Sequence, residues 1–407
     1  MKKEIKYTAW AGFGVLLHII IYNALKLPEP ALWAMRIIIL FILYKFSNKV
    51  ISYGQIDKIG LITLILFMSW QIISFIRGSF DAGNNYWIWK NITTNLLISL
   101  FYIFILYATN PLWVSYTYKL LWNNFFILLI IGFIFCKDPL IVNYLPYSTM
   151  LLLWPAIPQK HKYRLLLIIF FFLITNTQRN DLAKIIFALL CGIIIYKLYQ
   201  YIPTNALKYF HFLLLVTPFI LLALAIHTKF NVFRFEDYIK GEHIVNRTEN
   251  GISKEENLLT DTRTFIYQNT FYTMNKYDSW LWGRNTAHGD EGFSSYIDRD
   301  TGIKGRNGNE VGILNILLWH GLLGVTLNFI LYARASFLAI YKSKNKYLKI
   351  IGIYTAFLWC WGFIWERCLF EMFYLMNIIF IGICLSSTFR KMTNMEFKKW
   401  VVNCIYK

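Results

Sequence analysis

The sequence predicts an all-α fold: a polytopic membrane helical bundle of about twelve transmembrane helices, with one large extracytoplasmic loop between helices 9 and 10. Three observations predict it. Apolar runs near twenty residues recur along the whole chain, which is 57% hydrophobic and only 15% charged, against about 25% charged in soluble domains. Lys and Arg alternate in density from one inter-run segment to the next. One polar, aromatic-rich stretch, Thr228 to Glu310, interrupts the apolar pattern. The chain reads as a single integral membrane domain, 1–407, containing that loop at 228–310.

The expected spans are about 8–25, 31–46, 59–76, 92–109, 120–136, 143–157, 163–178, 181–200, 207–227, 311–333, 348–366 and 369–388. The first follows MKKEIKYTAW, lacks a clear small-residue cleavage site and runs at once into a second apolar stretch, so it is read as an uncleaved span. The sixth carries Pro146, Pro155 and Pro158; proline is tolerated in a span where neighbours satisfy the freed backbone groups. Trp10, Trp33, Trp70, Trp87, Trp89 and Trp113 fall near span ends and are expected to be interfacial anchors.

Charge sets the expected orientation. With Met1 inside, the inside segments carry 22 Lys and Arg and the short outside loops only six. Cytoplasmic loops are enriched in these residues, so both termini are expected in the cytoplasm of a bacterial inner membrane, with the long loop outside. That loop is close to neutral, with 11 Lys and Arg against 13 Asp and Glu, so the remainder carries +21 and the whole chain a net +19. A surplus sorted by membrane side excludes a nucleic-acid groove. Six scattered cysteines without a CxxC or Cys/His cluster point to neither zinc nor a disulfide framework.

Within the loop, Glu242 to Asn257 is charged and expected to be irregular. Leu258 to Trp282 has helical content, with Thr260 or Asp261 as N-cap. Trp282 to Asn309 is rich in Gly, Asn and Asp and reads as turns. Asp298 to Gly302 resembles the start of a calcium loop, but Ile303 stands where the sharp-turn glycine belongs and Asn309 where the bidentate Glu belongs.

The candidate chemistry is cationic. Arg179, in Thr175-Asn-Thr-Gln-Arg-Asn-Asp181, sits at a span edge with Lys184 a turn further on. It is either a partner of Asp181 or an anion clamp, since guanidinium matches phosphate oxygens and stays charged. Arg263 opens the loop helix and is either a solvated charge or a second donor. Arg284 and His288 follow in Trp280-Leu-Trp-Gly-Arg-Asn-Thr-Ala-His288. Trp280, Trp282 and Tyr277 would stack on sugars or anchor the loop in headgroups. Glu310 opens the tenth span as either a helix-capping carboxylate or a general base. His320, deeper, is expected to pack, and Gly321 and Gly324 to allow close backbone approach. Arg36 in the second span and Glu366, Arg367 and Glu371 near the last outside turn are candidates to line a polar cavity.

These features together resemble the O-antigen polymerase and ligase superfamily of bacterial envelope assembly. Thr175 to Leu190 (TNTQRNDLAKIIFALL) is similar to the family's Thr-x-Ser-Arg stretch entering a helix, with Gln178 in place of the Ser and Arg179 at the Arg. Thr262-Arg263 with Trp282-Gly283 resembles the Arg…Gly-x-Gly segment of the large loop. Glu310 through Gly324 resembles the segment leading into a Gly-Leu-Leu-Gly helix. Ligases carry His–Asn where this chain has Glu310-Val311, which leans toward a polymerase.

The resemblance implies a glycosyltransferase acting on undecaprenyl-pyrophosphate-linked oligosaccharide repeat units to build O-antigen, capsule or exopolysaccharide. A sugar hydroxyl would attack the anomeric carbon and lipid pyrophosphate would leave. Arg179 and Arg263 would stabilise the leaving charge, supported by Lys184 and Arg284, and Glu310 or His288 would orient or deprotonate the acceptor. No cofactor or metal is implied. Partners would be membrane lipid, a chain-length regulator and a flippase, and no nucleic acid. A ligase, or a non-enzymatic lipid-linked sugar flippase, are the alternatives. A transporter should place charges at the midplane and show repeat symmetry, whereas here they crowd one edge.

Overall fold

The computed structural model describes residues 2–25, 27–124, 127, 150–175, 179–198, 201–227, 231, 233–234, 244–249, 252–257, 261, 263–293, 297, 302, 304–364 and 372–406. They are mostly helical. In chain order the elements used below are α1 (Lys2–Leu25), α2 (Glu29–Val50), α3 (Lys58–Asp81), α4 (Tyr86–Tyr107), α5 (Pro111–Asn123), α6 (Gln159–Thr175), α7 (Arg179–Leu189), α8 (Thr204–Ile226), the strands β1 (Ile244–Glu249) and β2 (Ile252–Asn257), α9 (Thr264–Lys276), α10 (Gly312–Tyr341), α11 (Lys346–Trp361), α12 (Met372–Leu385), α13 (Ser387–Lys391) and α14 (Asn394–Tyr406).

Among the described residues, α2, α3, α4, α8 and α10 are long and apolar enough to cross a membrane. At 1.5 Å per residue, α3 reaches about 36 Å, more than the roughly 30 Å hydrocarbon core. Its Ile62, Ile65 and Leu66 stay more than half exposed. Helix α8 has mean hydropathy 2.3 over its most apolar stretch, only 17% of which is buried. Apolar faces of this size belong in lipid rather than water, and they mark a membrane protein.

Helix starts are fixed by side-chain caps. Asp57 accepts from Gly60 N at α3, Asn85 from Trp87 N at α4, Asn110 from Leu112 N at α5 and Asn345 from Leu348 N at α11. Each satisfies an amide that the helix itself leaves unpaired. Helix α10 is the hub, packing on α3, α11 and α12. A second layer of α1, α2, α5 and α14 leans on one another. The core is aromatic, with Trp113, Trp122, Tyr107 and Phe104 all at most 1% exposed.

Several expectations change. Most of the fifth expected span and the first half of the sixth lie outside the described residues, and so do Glu366, Arg367 and Glu371. Residues Leu151–Ala156, expected in the sixth span, form a 3-10 turn, with Pro155 in it unable to donate to an α-helical ladder. Trp113 is not an interfacial anchor: it is fully buried against Phe104 and Tyr107. Trp70 is also buried, and donates to the His320 carbonyl at 2.9 Å.

The stretch expected to be irregular, within Glu242 to Asn257, instead contains the antiparallel hairpin β1–β2, with Ile244 opposite Asn257 and Glu249 opposite Ile252. Ile244, Val245, Thr248 and Ile252 are β-branched, and Asn250-Gly251 between the strands is a hairpin signature. The expected loop helix is α9. Arg263 holds its N-cap position without a side-chain cap, and Asp261, two residues earlier, accepts from Arg263 N and Thr264 N at 3.0 Å each. The turn-rich stretch after Trp282 is pinned by isolated bridges, Asp290 with Arg306 and Ile297 with Lys304.

Candidate functional site

The site is built where the polar segment 263–310 docks on the ends of α3, α4 and α10. Helix α10 breaks inside its apolar run. Gly321 adopts φ 65 and ψ −168, a conformation open to glycine. The break frees backbone groups that lipid cannot satisfy, and the polar segment supplies partners. Arg284 N donates to Leu318 O at 2.7 Å and Asn285 N to Trp319 O at 3.1 Å. Leu322 N donates to Trp280 O at 2.7 Å and Leu323 N to Leu281 O at 3.3 Å. Helix α3 completes the seam, with Ser74 Oγ on Trp319 O and Arg77 donating to the carbonyls of Trp282 (2.8 Å) and Gly283 (2.9 Å). Helix α4 adds Asn91, whose amide donates to Thr286 O and to Asn307 Oδ1.

The interior of the segment is a satisfied polar core. The hydroxyls of Thr270 and Thr273 donate to the two oxygens of Asp290, at 2.6 and 2.7 Å. Asn309 and Asn315 exchange hydrogen bonds, Asn309 N to Asn315 Oδ1 and Asn315 Nδ2 to Asn309 O. Since buried polar groups are costly unless paired, this network fixes the strand-like pairing of Asp290 with Arg306 and the entry into α10.

Two of the sequence-predicted residues meet. Arg263, at the start of α9, lies 3.7 Å from Glu310, which is also 3.3 Å from Arg306. Glu310 does not cap α10; Val311 holds the N-cap position without a side-chain cap. The cluster is partly exposed, with Arg263 at 23%, Glu310 at 30% and Arg306 at 55%. Two guanidiniums thus flank one carboxylate at the start of an apolar helix.

The other candidates separate. Arg284 is buried inside the segment, donating to Glu291 at 3.0 Å and Gly289 O at 3.1 Å, with its guanidinium 3.6 Å from the Tyr277 ring centroid. Both of these bonds hold the loop together. Burial alone would raise the Glu291 carboxyl, but hydrogen bonds from Tyr277, Lys276 and Arg284 outweigh it and hold it down at about 2. Trp280 is half-buried, donates to Asn275 Oδ1 and packs on Phe271. Trp282 is 52% exposed beside Trp70, so of the two tryptophans it alone offers an open face.

His288 Nε2 lies 3.1 Å from Asp81 at the end of α3. Lys184 in α7 and Arg36 in α2 are buried, at 2% and 4% exposed. Helix α7 begins at Arg179, two residues before the expected span and not after a turn containing it; the Arg179 side chain lies outside the described residues, and the Arg179–Arg263 pairing with it. The sequence reading missed Arg77, Asp81, Asn285 and Arg306. The available signal was the i, i+4 pair Arg77 and Asp81 at the loop-side end of an apolar run. No groups of His, Cys, Asp or Glu able to hold a metal occur among the described residues.

Comparison of the chain with models of known families, with curated proteins and with solved structures finds no match in any of the three.

Proposed function

We propose that this chain is a membrane glycosyltransferase that polymerises lipid-pyrophosphate-linked oligosaccharide repeat units into a surface polysaccharide. The observation that carries the reading is the Arg263–Glu310–Arg306 cluster, set where a folded polar segment meets the start of an apolar helix. A lipid diphosphate has that same division, an anionic head on a hydrocarbon tail. The guanidiniums would bind the diphosphate and stabilise the charge it gains on leaving, and the exposed apolar faces of the bundle would receive the polyprenyl tail.

The proposal includes about twelve spans, both termini in the cytoplasm, and residues 228–310 as a loop on the outer face of a bacterial cytoplasmic membrane. Chemistry without a metal is part of it, because fixed guanidiniums supply the positive charge. Arg179 joins the cluster as a further donor in this reading, buried Lys184 does not, and Trp282 offers a stacking face to a sugar. The ring nitrogen of His288 or the Glu310 carboxylate orients the acceptor hydroxyl.

The test is to incubate the purified protein in lipid with polyprenyl-pyrophosphate-linked repeat units and to size the products. A ladder of lipid-linked oligomers is expected. Transfer only to a different acceptor lipid would point to a ligase, and relocation of intact substrate across a vesicle without transfer to a flippase.

A further inference from the structure

We infer that Asp81 and His288 form a proton-accepting dyad. In it Asp81 holds the imidazole through Nε2, and His288 Nδ1 takes the proton of the acceptor sugar hydroxyl. This rests on the glycosyl-transfer reading above and decides between the two bases it leaves open.

The two residues come from distant parts of the chain, 207 positions apart, and meet at 3.1 Å. The Asp81 carboxylate is held both by its own helix and by the segment that carries His288. Asp81 ends α3, whose Ser74 and Arg77 are bonded to the α10 break and to the segment backbone. The same Asp81 oxygen accepts from Asn285 Nδ2 at 2.7 Å. Asn285 is buried and held at φ 63, a left-handed conformation that costs on the order of 1 kcal/mol outside glycine. Its amide oxygen accepts from Ala287 N at 2.9 Å, and its backbone N–H is tied to Trp319 O at 3.1 Å. Such strain persists where the surroundings over-determine it, and what it positions here is the carboxylate facing His288.

The outward side of the imidazole is accessible. The His288 side chain is 38% exposed and Asp81 44%, and Nδ1 has no hydrogen-bond partner among the described residues. Glu310, the competing base, is shared between Arg263 at 3.7 Å and Arg306 at 3.3 Å, so its oxygens face guanidiniums rather than open solvent alone. The charged groups acting on His288 are Asp81 on α3 with Arg284 and Glu291 in the segment. Burial, then the Arg284 charge, push the imidazole below its ordinary value, while Asp81 and Glu291 pull upward without restoring it. At neutral pH the ring is therefore unprotonated and able to accept.

The dyad and the guanidinium cluster are joined through one backbone pairing. Backbone N–H and C=O of Asp290 pair with those of Arg306 at 2.8 Å each. His288 is two positions before that pair, and the Arg306 side chain leaves from it toward Glu310. In the step, the acceptor oxygen forms a bond to the anomeric carbon as its proton passes to Nδ1. The anomeric C–O bond to phosphate breaks, and its electron pair leaves on the lipid diphosphate, which Arg263 and Arg306 receive. The imidazolium then releases the proton to solvent. Asp81 touches no reacting atom and is a positioning residue.

The test uses the full chain in lipid with lipid-linked repeat units and follows initial rate from about pH 5 to 9, alongside thermal stability. Wild type should rise with pH through an inflection below the ordinary histidine value. His288→Gln should lose a hundred-fold or more in kcat. Asp81→Asn should keep KM and lose roughly ten-fold in kcat, and the inflection should move to lower pH, because the carboxylate that favours imidazolium is gone. Asp81→Glu should restore part of the loss. A merely structural Asp81 would lower stability without moving the inflection. Titration of the His288 ring by NMR in wild type and Asp81→Asn reads the same displacement without turnover. Variants with wild-type kcat, or an unmoved inflection and titration, overturn the dyad alone; an inactive wild type overturns the glycosyl-transfer reading and the dyad with it.

Discussion

Gly283 and Gly321 meet backbone to backbone at the break in α10. A Cβ on Gly283 would fall 2.5 Å from Gly321 N, and one on Gly321 would fall 2.5 Å from Gly283 N. Both residues have positive φ, 68 and 65. The contact seats the polar segment in the helix, so the geometry of Arg284, Asn285 and, through them, His288 depends on it. Gly283→Ala or Gly321→Ala should each destabilise the protein by about 2 kcal/mol, from strain and displaced backbone together. The double variant should cost less than the sum, because the first substitution already opens the seam. Thermal unfolding in detergent measures this, and additive or negligible losses would mean that the segment is held elsewhere.

The Arg263–Glu310 pair separates charge from positioning. Arg263→Ala should reduce polymerisation by about a hundred-fold or more, as expected for losing a donor to a developing anion. Arg263→Lys should recover only part, since ammonium lacks the planar fork. Glu310→Gln removes a carboxylate that competes with diphosphate for the same guanidiniums, so KM for the lipid-linked donor should fall. Product sizing and initial rates distinguish these outcomes. Wild-type chain lengths in Arg263→Ala would remove the clamp.

Much of the helical frame is legible in the sequence, because apolar runs, Asn or Asp caps and alternating Lys and Arg are local signals. The place of Asp261 at the entry to α9 follows from such signals, whereas the meeting of Arg263 with Glu310 is a tertiary contact that no local signal carries. The hairpin β1–β2 was readable from Asn250-Gly251 but was masked by the high charge around it. The break at Gly321 was not readable: Trp319-His-Gly-Leu-Leu-Gly324 is as apolar as a continuous helix. Its break depends on amides of Arg284 and Asn285 that come from distant chain. The same holds for Arg284, whose role as a buried partner of Glu291 depends on Tyr277 stacking on it. The pairing of Asp81 with His288 links residues whose neighbourhood only tertiary structure creates.

The Arg284–Glu291 pair gives the segment a pH dependence. Both side chains are 7% exposed, and the Glu291 carboxyl sits at about 2 against an ordinary 4.5. A depressed carboxyl contributes stability that is complete above its unfolded value and is lost as pH falls through the folded one. The contribution should therefore be full above about pH 4.5 and fade toward pH 2. Glu291→Gln should cost about 2 kcal/mol at neutral pH, leaving a buried guanidinium short of its anion. Its unfolding should also be flatter with pH across that acid window than wild type. Thermal scans at stepped pH test both, and parallel curves would contradict the assignment.

The proposed orientation is open to a direct probe. A reporter inserted between Glu249 and Ile252, at the tip of the β1–β2 hairpin, should read out from outside the cytoplasm, and one fused after Tyr406 should read out from inside. The surplus of Lys and Arg in the even-numbered connections drives this expectation. A cytoplasmic signal from the hairpin would overturn the topology, and with it the access of the site to outward-facing substrate.

Asp57 and Arg334 tie α3 to α10 at the end remote from the site. The pairing is bidentate, Nε to one carboxylate oxygen at 2.9 Å and Nη2 to the other at 2.8 Å. Asp57 also caps α3 through Gly60 N. Hydrogen bonding from Arg334 is the main influence holding the Asp57 carboxyl below its ordinary value. Arg334 is 28% exposed and Asp57 13%, so solvent screens part of the attraction and the pair is worth about 1 kcal/mol, with the cap adding a similar amount. Asp57→Ala, which removes both, should therefore lower stability by about 2 kcal/mol, and Arg334→Ala by about half that. Neither touches the segment or the cluster, so turnover per folded molecule should match wild type. Thermal unfolding combined with initial rates on the same samples checks this, and a kcat loss in Asp57→Ala beyond the folded fraction would show that the far end of α3 governs the placement of Asp81.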